Sequence, residues 1–245
     1  SSFVNQILDP AISIDELLRD PVEQVAGDGG TPHPRIGLPA DLFAPVRRNS
    51  AGLDLNDPLT LSALEAAFEQ ARRQPWRAAP MLADGGASGT ELRAIRNPAH
   101  LDDIIGHVQD AGRAEAEAAL AAAQACTSRW SNSTGAERAR LLERSAELLQ
   151  AHCAELMWLA VHEAGKTLAN ALGEVREAVD FCRYYASRLR TAAEEADRGQ
   201  PLGVVACISP WNFPLAIFTG QVAAALAAGN VVLAKPAEQT PLTAA

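Results

Sequence analysis

The chain has 245 residues, enough for one large domain or two modest ones with a substantial hydrophobic core. Thirty acidic against 21 basic residues argue against nucleic acid as a partner of this segment, because nucleic-acid binding rests on basic patches that neutralise phosphates. No apolar run approaches the roughly 18 residues of a transmembrane segment, and the first residues lack the pattern of a secretory signal. We therefore expect a globular, cytoplasmic protein.

Residues 1–60 differ in composition from the rest of the chain. They carry seven of the 15 prolines, which exclude long regular elements. One short helix is predicted at 13–18, with Ser13 as the N-cap and Glu16 three residues later. The remainder predicts a Pro-rich linker that wraps over a larger body and has almost no core of its own.

The middle of the chain is predicted to be mainly helical. There is no proline between Pro98 and Pro201, and Ala, Leu, Glu and Arg dominate that stretch. The predicted elements are a helix at 61–74, short strands at 91–95 and 103–108, a helix at 114–126, a helix that starts at the Thr134/Glu137 capping box and breaks near His152, and a helix from Thr167 onward with an apolar stripe.

The cysteines and histidines do not form a recognisable metal or disulfide pattern. Cys126, Cys153, Cys182 and Cys207 have wide spacings that match neither a zinc site nor a small disulfide framework. We interpret them as reduced, structural cysteines, because burial in apolar surroundings raises a thiol pKa. The five histidines include no helical metal-binding pair, so no metal site is predicted.

The last 43 residues of the sequence predict a strand, a turn, a helix and a second strand. Residues 203–208 form an apolar run typical of a strand buried on both faces of a parallel sheet. A polar, Pro-rich turn ends it, and a helix follows over 215–228. Pro214 suits the first helical position and Gly229 the C-terminal cap. The second strand is predicted at 231–234.

This unit has the size of a right-handed βαβ crossover. In such sheets, ligands bind beyond the carboxyl ends of the strands. The turn at 209–212 offers backbone N–H groups and one carboxamide there, while Lys235 offers a cation and Glu238 a carboxylate acceptor. This set of groups suits a nucleotide.

Each of these residues also has a purely structural interpretation. Trp211 and Phe213 are more often core residues, and Asn212 beside a proline is more often a turn residue. A lysine at a strand end, such as Lys235, is usually a solvated charge, and the same holds for Glu238. Their combination within one βαβ unit favours a binding site.

The motif Pro210-Trp-Asn-Phe-Pro214, followed by Lys235-Pro-Ala-Glu238, resembles the aldehyde dehydrogenase superfamily. The resemblance implies an α/β fold that comprises the N-terminal part of an aldehyde dehydrogenase, with a helical segment and the start of a Rossmann-like parallel sheet. It also implies NAD as the cofactor. The implied NAD-binding residues are Ile208, Ser209, Pro210, Trp211, Lys235 and Glu238, with the last two on the adenosine ribose.

The same resemblance implies roles in catalysis and substrate binding. The Asn212 carboxamide would donate to the oxyanion that forms when a cysteine thiolate attacks the aldehyde. Glu177 and Phe213 match residues that line the pocket in glutamate semialdehyde dehydrogenases, although a solvated helix face is the alternative for Glu177. None of the four cysteines matches the nucleophile, so these 245 residues alone should be inactive. Glu238 favours NAD over NADP, because its carboxylate would repel a 2′-phosphate.

Residues 1–10, 32–35 and 47–55 resemble the linker of the proline utilization A family. In those bifunctional proteins an FAD-dependent proline dehydrogenase barrel precedes an aldehyde dehydrogenase module. The resemblance implies that residues 1–60 are an interdomain linker after a missing barrel, and that 61–245 are an incomplete NAD-binding domain.

The implied function is the NAD-dependent oxidation of L-glutamate γ-semialdehyde to L-glutamate in proline catabolism, within a full-length homo-oligomer. Two alternatives stay open. In the first, the chain is a non-catalytic module of the same fold, kept for assembly or substrate channelling. In the second, it is part of another aldehyde dehydrogenase with an unrelated N-terminal extension.

Overall fold

The computed structural model describes residues 6–27, 29–31, 35–83, 85, 91–191 and 199–245. Residues 1–5 and 32–34, on which part of the linker resemblance rests, lie outside the described residues. The first elements are α1 (Ile14–Leu17), α2 (Pro21–Gly27), a 3₁₀ turn (Pro39–Asp41), α3 (Pro58–Arg72), β1 (Arg77–Ala78), β2 (Leu92–Asn97) and β3 (His100–Gln109). They are followed by α4 (Arg113–Ser131), α5 (Gly135–Ala151), α6 (Cys153–Ala164), α7 (Leu168–Thr191), β4 (Val204–Ile208), α8 (Ala216–Ala227), β5 (Val231–Lys235) and α9 (Pro241–Ala244).

Local sequence signals set several helix ends. The Ser13 hydroxyl accepts a hydrogen bond from the Glu16 N–H at 3.2 Å. The Thr134 hydroxyl accepts from the Glu137 N–H at 3.2 Å, and the Glu137 carboxylate accepts from the Thr134 N–H at 2.8 Å. The predicted capping box and the break between α5 and α6 at His152 are both confirmed. The predicted helix at 114–126 is longer than expected and continues to Ser131.

The main hydrophobic core lies between α5, α7 and α8. Small residues dominate the closest contacts, which lets the helix backbones approach each other. A Cβ added at Gly220 of α8 would lie 2.9 Å from the Phe181 ring of α7. The buried stripe predicted for α7 is confirmed at Leu172, Val175, Val179, Cys182 and Ala186.

Two separate sheets flank this core. In the first, β3 pairs antiparallel with β2 and parallel with β1. The sequence did not predict β1, because two residues are too few to show a periodic pattern. In the second, β4 and β5 run parallel, with their crossover through α8. This arrangement confirms the predicted βαβ unit.

The expected burial of β4 on both faces is wrong. Ala206 and Ile208 are exposed, whereas Cys207 is buried. Successive side chains of a strand point to opposite faces, so only one face of β4 is covered at its carboxyl end. Among the described residues, β5 is the one strand that pairs with β4.

The segment before α3 is held on α7 by polar contacts. Asp180 accepts hydrogen bonds from Arg47 Nη1 at 2.6 Å and from Ser50 Oγ at 2.7 Å. Arg183 Nη1 donates to the Asn49 carbonyl oxygen at 2.7 Å. Asn49 and Ser50 are both buried, so hydrogen bonds hold the end of the Pro-rich segment against the helices.

The four cysteines are free thiols. Burial raises the pKa of Cys182 to about 11, and it also raises the pKa values of Cys153 and Cys207. These raised pKa values agree with the interpretation of Cys153, Cys182 and Cys207 as structural thiols. Cys126 is exposed and therefore does not belong to the core. No helix within the described ranges has the length and apolar character needed to cross a bilayer.

The short helix α9 begins against a buried carboxylate of α6. Glu163 is 4% exposed and accepts hydrogen bonds from the N–H groups of Leu242 and Thr243, each at 2.7 Å. The Thr243 hydroxyl donates to it at 2.6 Å. Burial raises the pKa of Glu163 to about 7, and these donors together with the charge of Arg93 oppose that rise.

The raised pKa of Glu163 predicts a pH-dependent stability. The value of about 7 in the folded chain exceeds the ordinary value of 4.5, so the folded state binds this proton more tightly. Stability from this group is therefore fully present below pH 4.5 and is lost as the pH rises through about 7. At about 1.4 kcal/mol per pKa unit, the loss is on the order of 3 kcal/mol.

Urea unfolding of the chain and of Glu163→Gln at about pH 4.5, 6 and 7.5 measures this dependence. Glutamine does not titrate, so the variant should lack the fall in the free energy of unfolding that the wild type shows over this range. Glu117→Gln, at an exposed carboxylate, is the control and should keep it. Parallel pH profiles for the wild type and Glu163→Gln would contradict the prediction.

Candidate active site at the carboxyl edge of the parallel sheet

The carboxyl ends of β4 and β5 lie side by side. Ile208 and Lys235 are register partners, and the Ser209 N–H donates to the Lys235 carbonyl oxygen at 3.2 Å. Residues 209–214, called here the Asn212 turn, therefore leave the sheet beside the segment that carries Lys235 and Glu238. The structure thus brings the two motifs singled out from the sequence to one edge of the sheet.

The Asn212 turn is anchored at its start and exposed at its tip. Ser209 is buried, and its hydroxyl lies 3.4 Å from Gln221 Oε1 of α8. Trp211 is 54% exposed and Phe213 is 40% exposed, so neither is a core residue of the described chain. Asn212 is exposed as well, which leaves its carboxamide accessible as a hydrogen-bond donor.

The second segment presents a cation and a carboxylate next to each other. Lys235 Nζ lies 3.7 Å from Glu238 Oε1, and the two side chains are 56% and 78% exposed. This is a loose pair in contact with solvent, so both groups can exchange partners at little cost. Arg93 Nη2 donates to the Glu238 carbonyl oxygen at 3.2 Å and holds the backbone of this segment.

A buried carboxylate from α7 stands at the end of the Asn212 turn. Glu174 is 2% exposed and accepts hydrogen bonds from the N–H groups of Leu215 at 3.3 Å and Ala216 at 2.9 Å. Its other oxygen accepts from Lys166 Nζ at 2.8 Å. The same ammonium lies 4.4 Å from the centroid of the Phe213 ring.

These contacts correct one prediction about α8. The helix is predicted over 215–228 with Pro214 at its first position, whereas it begins at Ala216, where the Glu174 carboxylate accepts hydrogen bonds that an N-cap side chain would otherwise accept. A carboxylate at this position also interacts favourably with the helix dipole. The predicted C-terminal signal holds, since Gly229 follows the helix with a φ of 85°.

Lys166 and Glu174 are not among the site residues predicted from the sequence, whose acidic residue on this helix is Glu177. Glu177 lies exposed on α7, three residues after Glu174, so a solvated position remains its alternative interpretation. One signal in the sequence points to the missed lysine. Lys166 and Lys235 are the only lysines of the chain, and every other one of the 21 basic residues is an arginine.

The groups at this edge fit a dinucleotide. Lys235 can donate and Glu238 can accept, as binding the neighbouring hydroxyls of a ribose requires. Ile208 is 67% exposed and Trp211 is 54% exposed, and they offer apolar surface beside these polar groups. Apolar walls with a few converging polar groups are typical of cofactor sites.

Comparisons with known proteins agree with this geometry. Bifunctional protein PutA of Escherichia coli (strain K12) is 51% identical over 252 residues, which cover 100% of this chain and 19% of that protein. The crystal structure of proline utilization A from Bdellovibrio bacteriovorus matches with a TM-score of 0.77 at 32% identity, over 100% of this chain and 26% of that one.

A 1-pyrroline-5-carboxylate dehydrogenase from Thermus with bound NAD matches with a TM-score of 0.73 at 32% identity, over 80% of this chain and 41% of that one. The chain spans about a fifth of the length of the PutA relatives that it matches over its whole length. The sequence model of the aldehyde dehydrogenase family matches residues 86–245, which is the greater part of the chain. The chain therefore belongs to the aldehyde dehydrogenase family.

Proposed function

We propose that this chain contributes the NAD site and the oxyanion donor of an aldehyde dehydrogenase that oxidises L-glutamate γ-semialdehyde to L-glutamate in proline catabolism. The observation that carries the proposal is the register pairing of Ile208 with Lys235, which puts the Asn212 turn and the Lys235–Glu238 segment at one edge of a parallel sheet. The names of the relatives that match the chain along its whole length support the choice of pathway.

Asn212 would act on the aldehyde oxygen. As a nucleophile adds to the carbonyl carbon, negative charge develops on that oxygen, and the exposed carboxamide donates a hydrogen bond to it. A preorganised donor of this kind stabilises the transition state more than the substrate. Phe213, which follows Asn212 in the sequence, and Glu177 would line the pocket for the substrate.

Lys235 and Glu238 would hold the ribose hydroxyls of the cofactor. Bound NAD⁺ would supply the hydride acceptor of the oxidation. The backbone at Ile208, Ser209, Pro210 and Trp211 would lie along it, next to the exposed side chains of Ile208 and Trp211. The negative charge of Glu238 would disfavour a 2′-phosphate and so select NAD over NADP.

We also propose how the chain fits into its parent protein. Residues 1–60 would be the linker and 61–245 part of the NAD-binding domain, in a cytoplasmic homo-oligomer that also carries an FAD-dependent proline dehydrogenase. The hydrogen bonds that Asp180 accepts from Arg47 and Ser50 support a defined path for that linker. The chain spans about a fifth of the length of the PutA relatives, which agrees with a multidomain parent protein.

The first test concerns residues 1–245 by themselves. We expect no NADH formation from NAD⁺ and the semialdehyde, because none of the four cysteines matches the nucleophile of the family, and burial raises the pKa values of Cys182 and Cys207. The control is the gene product at its natural length, which should turn over. Activity of the 245-residue chain would contradict the expectation, and inactivity of the natural-length protein would favour a non-catalytic module.

The second test removes the proposed oxyanion donor in the natural-length protein. Asn212→Ala should lower kcat by about 10²- to 10³-fold, because one preorganised hydrogen bond to the developing charge is lost. Steady-state kinetics measure this effect, and the KM for NAD⁺ should change by less than about threefold. Asn132→Ala, at an exposed carboxamide after α4, is the matched control. Unchanged turnover in Asn212→Ala would exclude the proposed role.

The third test concerns cofactor binding by Lys235. A hydrogen bond from a charged donor contributes about 1.5–3 kcal/mol, which corresponds to a rise of about 10- to 100-fold in the KM for NAD⁺ in Lys235→Met. We expect kcat at saturating NAD⁺ to stay within about threefold. Arg140→Met, at an exposed cation of α5, serves as the control. An unaltered KM for NAD⁺ would rule out this contact.

A further inference from the structure

The junction between the Asn212 turn and α8 is fixed from the core. Glu174 comes from α7, whose neighbouring residues Val175 and Ala178 are 1% and 0% exposed. The carboxylate therefore has a rigid support. Its hydrogen bonds to the amides of Leu215 and Ala216 set the position of the first residues of α8 relative to α7.

The charge of Glu174 is balanced locally. A carboxylate that is 2% exposed needs a cation and hydrogen-bond donors to offset the cost of its removal from water. Lys166 provides the cation at 2.8 Å, and the positive end of the α8 dipole adds to it. The Lys166 ammonium, the Glu174 carboxylate and the positive end of α8 thus neutralise one another.

Lys166 also contacts the Asn212 turn directly. Its side chain is 15% exposed, and its ammonium lies over the Phe213 ring at 4.4 Å from the centroid. A partly desolvated cation in this position is attracted to the ring face. The turn is therefore held on the C-terminal side of Asn212 at two places, through the Phe213 side chain and through the amides at 215 and 216.

We propose that Glu174 and Lys166 are positioning residues for Asn212, which they hold in the geometry needed to meet the oxyanion. This role rests on the proposed function. Asn212 is itself exposed, so its direction depends on the backbone of the turn that carries it. A misplacement of a catalytic group by about 1 Å can lower the rate about 10²-fold.

The kinetic test uses Glu174→Gln and Lys166→Met in the natural-length protein. Both variants should lower kcat by about 10²-fold while the KM for NAD⁺ stays within about threefold. Lys166→Arg keeps the charge and can stack on the ring, so it should recover most of the lost kcat. Glu147→Gln, at an exposed carboxylate of α5, is the control and should match the wild type.

Hydrogen exchange on the 245-residue chain provides the structural readout. In Glu174→Gln the amides at 215 and 216 should exchange at least about tenfold faster, while the amides of α5 keep their protection. If Glu174→Gln fails to fold, the two Lys166 variants, at a partly exposed position, carry the kinetic comparison. Loss of protection together with the selective fall in kcat supports the inference.

The outcomes separate this inference from the proposed function. An active wild type whose Glu174 and Lys166 variants keep kcat overturns the positioning role alone. A fall in kcat that Lys166→Arg does not relieve, or that comes with an equally raised KM for NAD⁺, also overturns it. A natural-length wild type that cannot oxidise the semialdehyde overturns the proposed function and this role together.

Discussion

Two buried carboxylates on consecutive helices hold the segments that form the candidate site. Glu163 of α6 binds the amides that open α9, which follows the Lys235–Glu238 segment. Glu174 of α7 binds the amides that open α8, which follows the Asn212 turn. Each site segment thus runs from the end of a parallel strand to a helix whose first residues are tied to the same helical body. The sheet edge and the helical core act as one unit for this reason.

The sequence predicted those parts of the fold that depend on local signals. Examples are the capping box of Thr134 and Glu137, the break at His152 and the apolar stripe of α7. Each of them is determined by residues that are close together in the sequence. The convergence of the Asn212 turn and Lys235 followed from the general geometry of βαβ units. Where a local rule decided the structure, the prediction and the structure agree.

The remaining features depend on contacts between distant residues. Glu174 meets Leu215 and Ala216 across more than 40 positions of the chain, and no pattern around Glu174 distinguishes it from the exposed Glu177. For the same reason the predicted helix at 215–228 starts one residue before α8 does. The two exposed positions of β4 also depend on which strands and helices cover them, and a short apolar run cannot show this.

The contact between Gly220 and Phe181 has a consequence for how accurately the turn is placed. Helices α7 and α8 are pressed together at Gly220, where a single added carbon would collide with the Phe181 ring, and they are tied by Glu174 one helical turn earlier at Ala216. Two unlike restraints, one steric and one electrostatic, therefore set the same interhelical spacing. A change in the spacing at one of these contacts strains the other. A substitution in the core at 181 or 220 would therefore also tilt the loop that precedes α8.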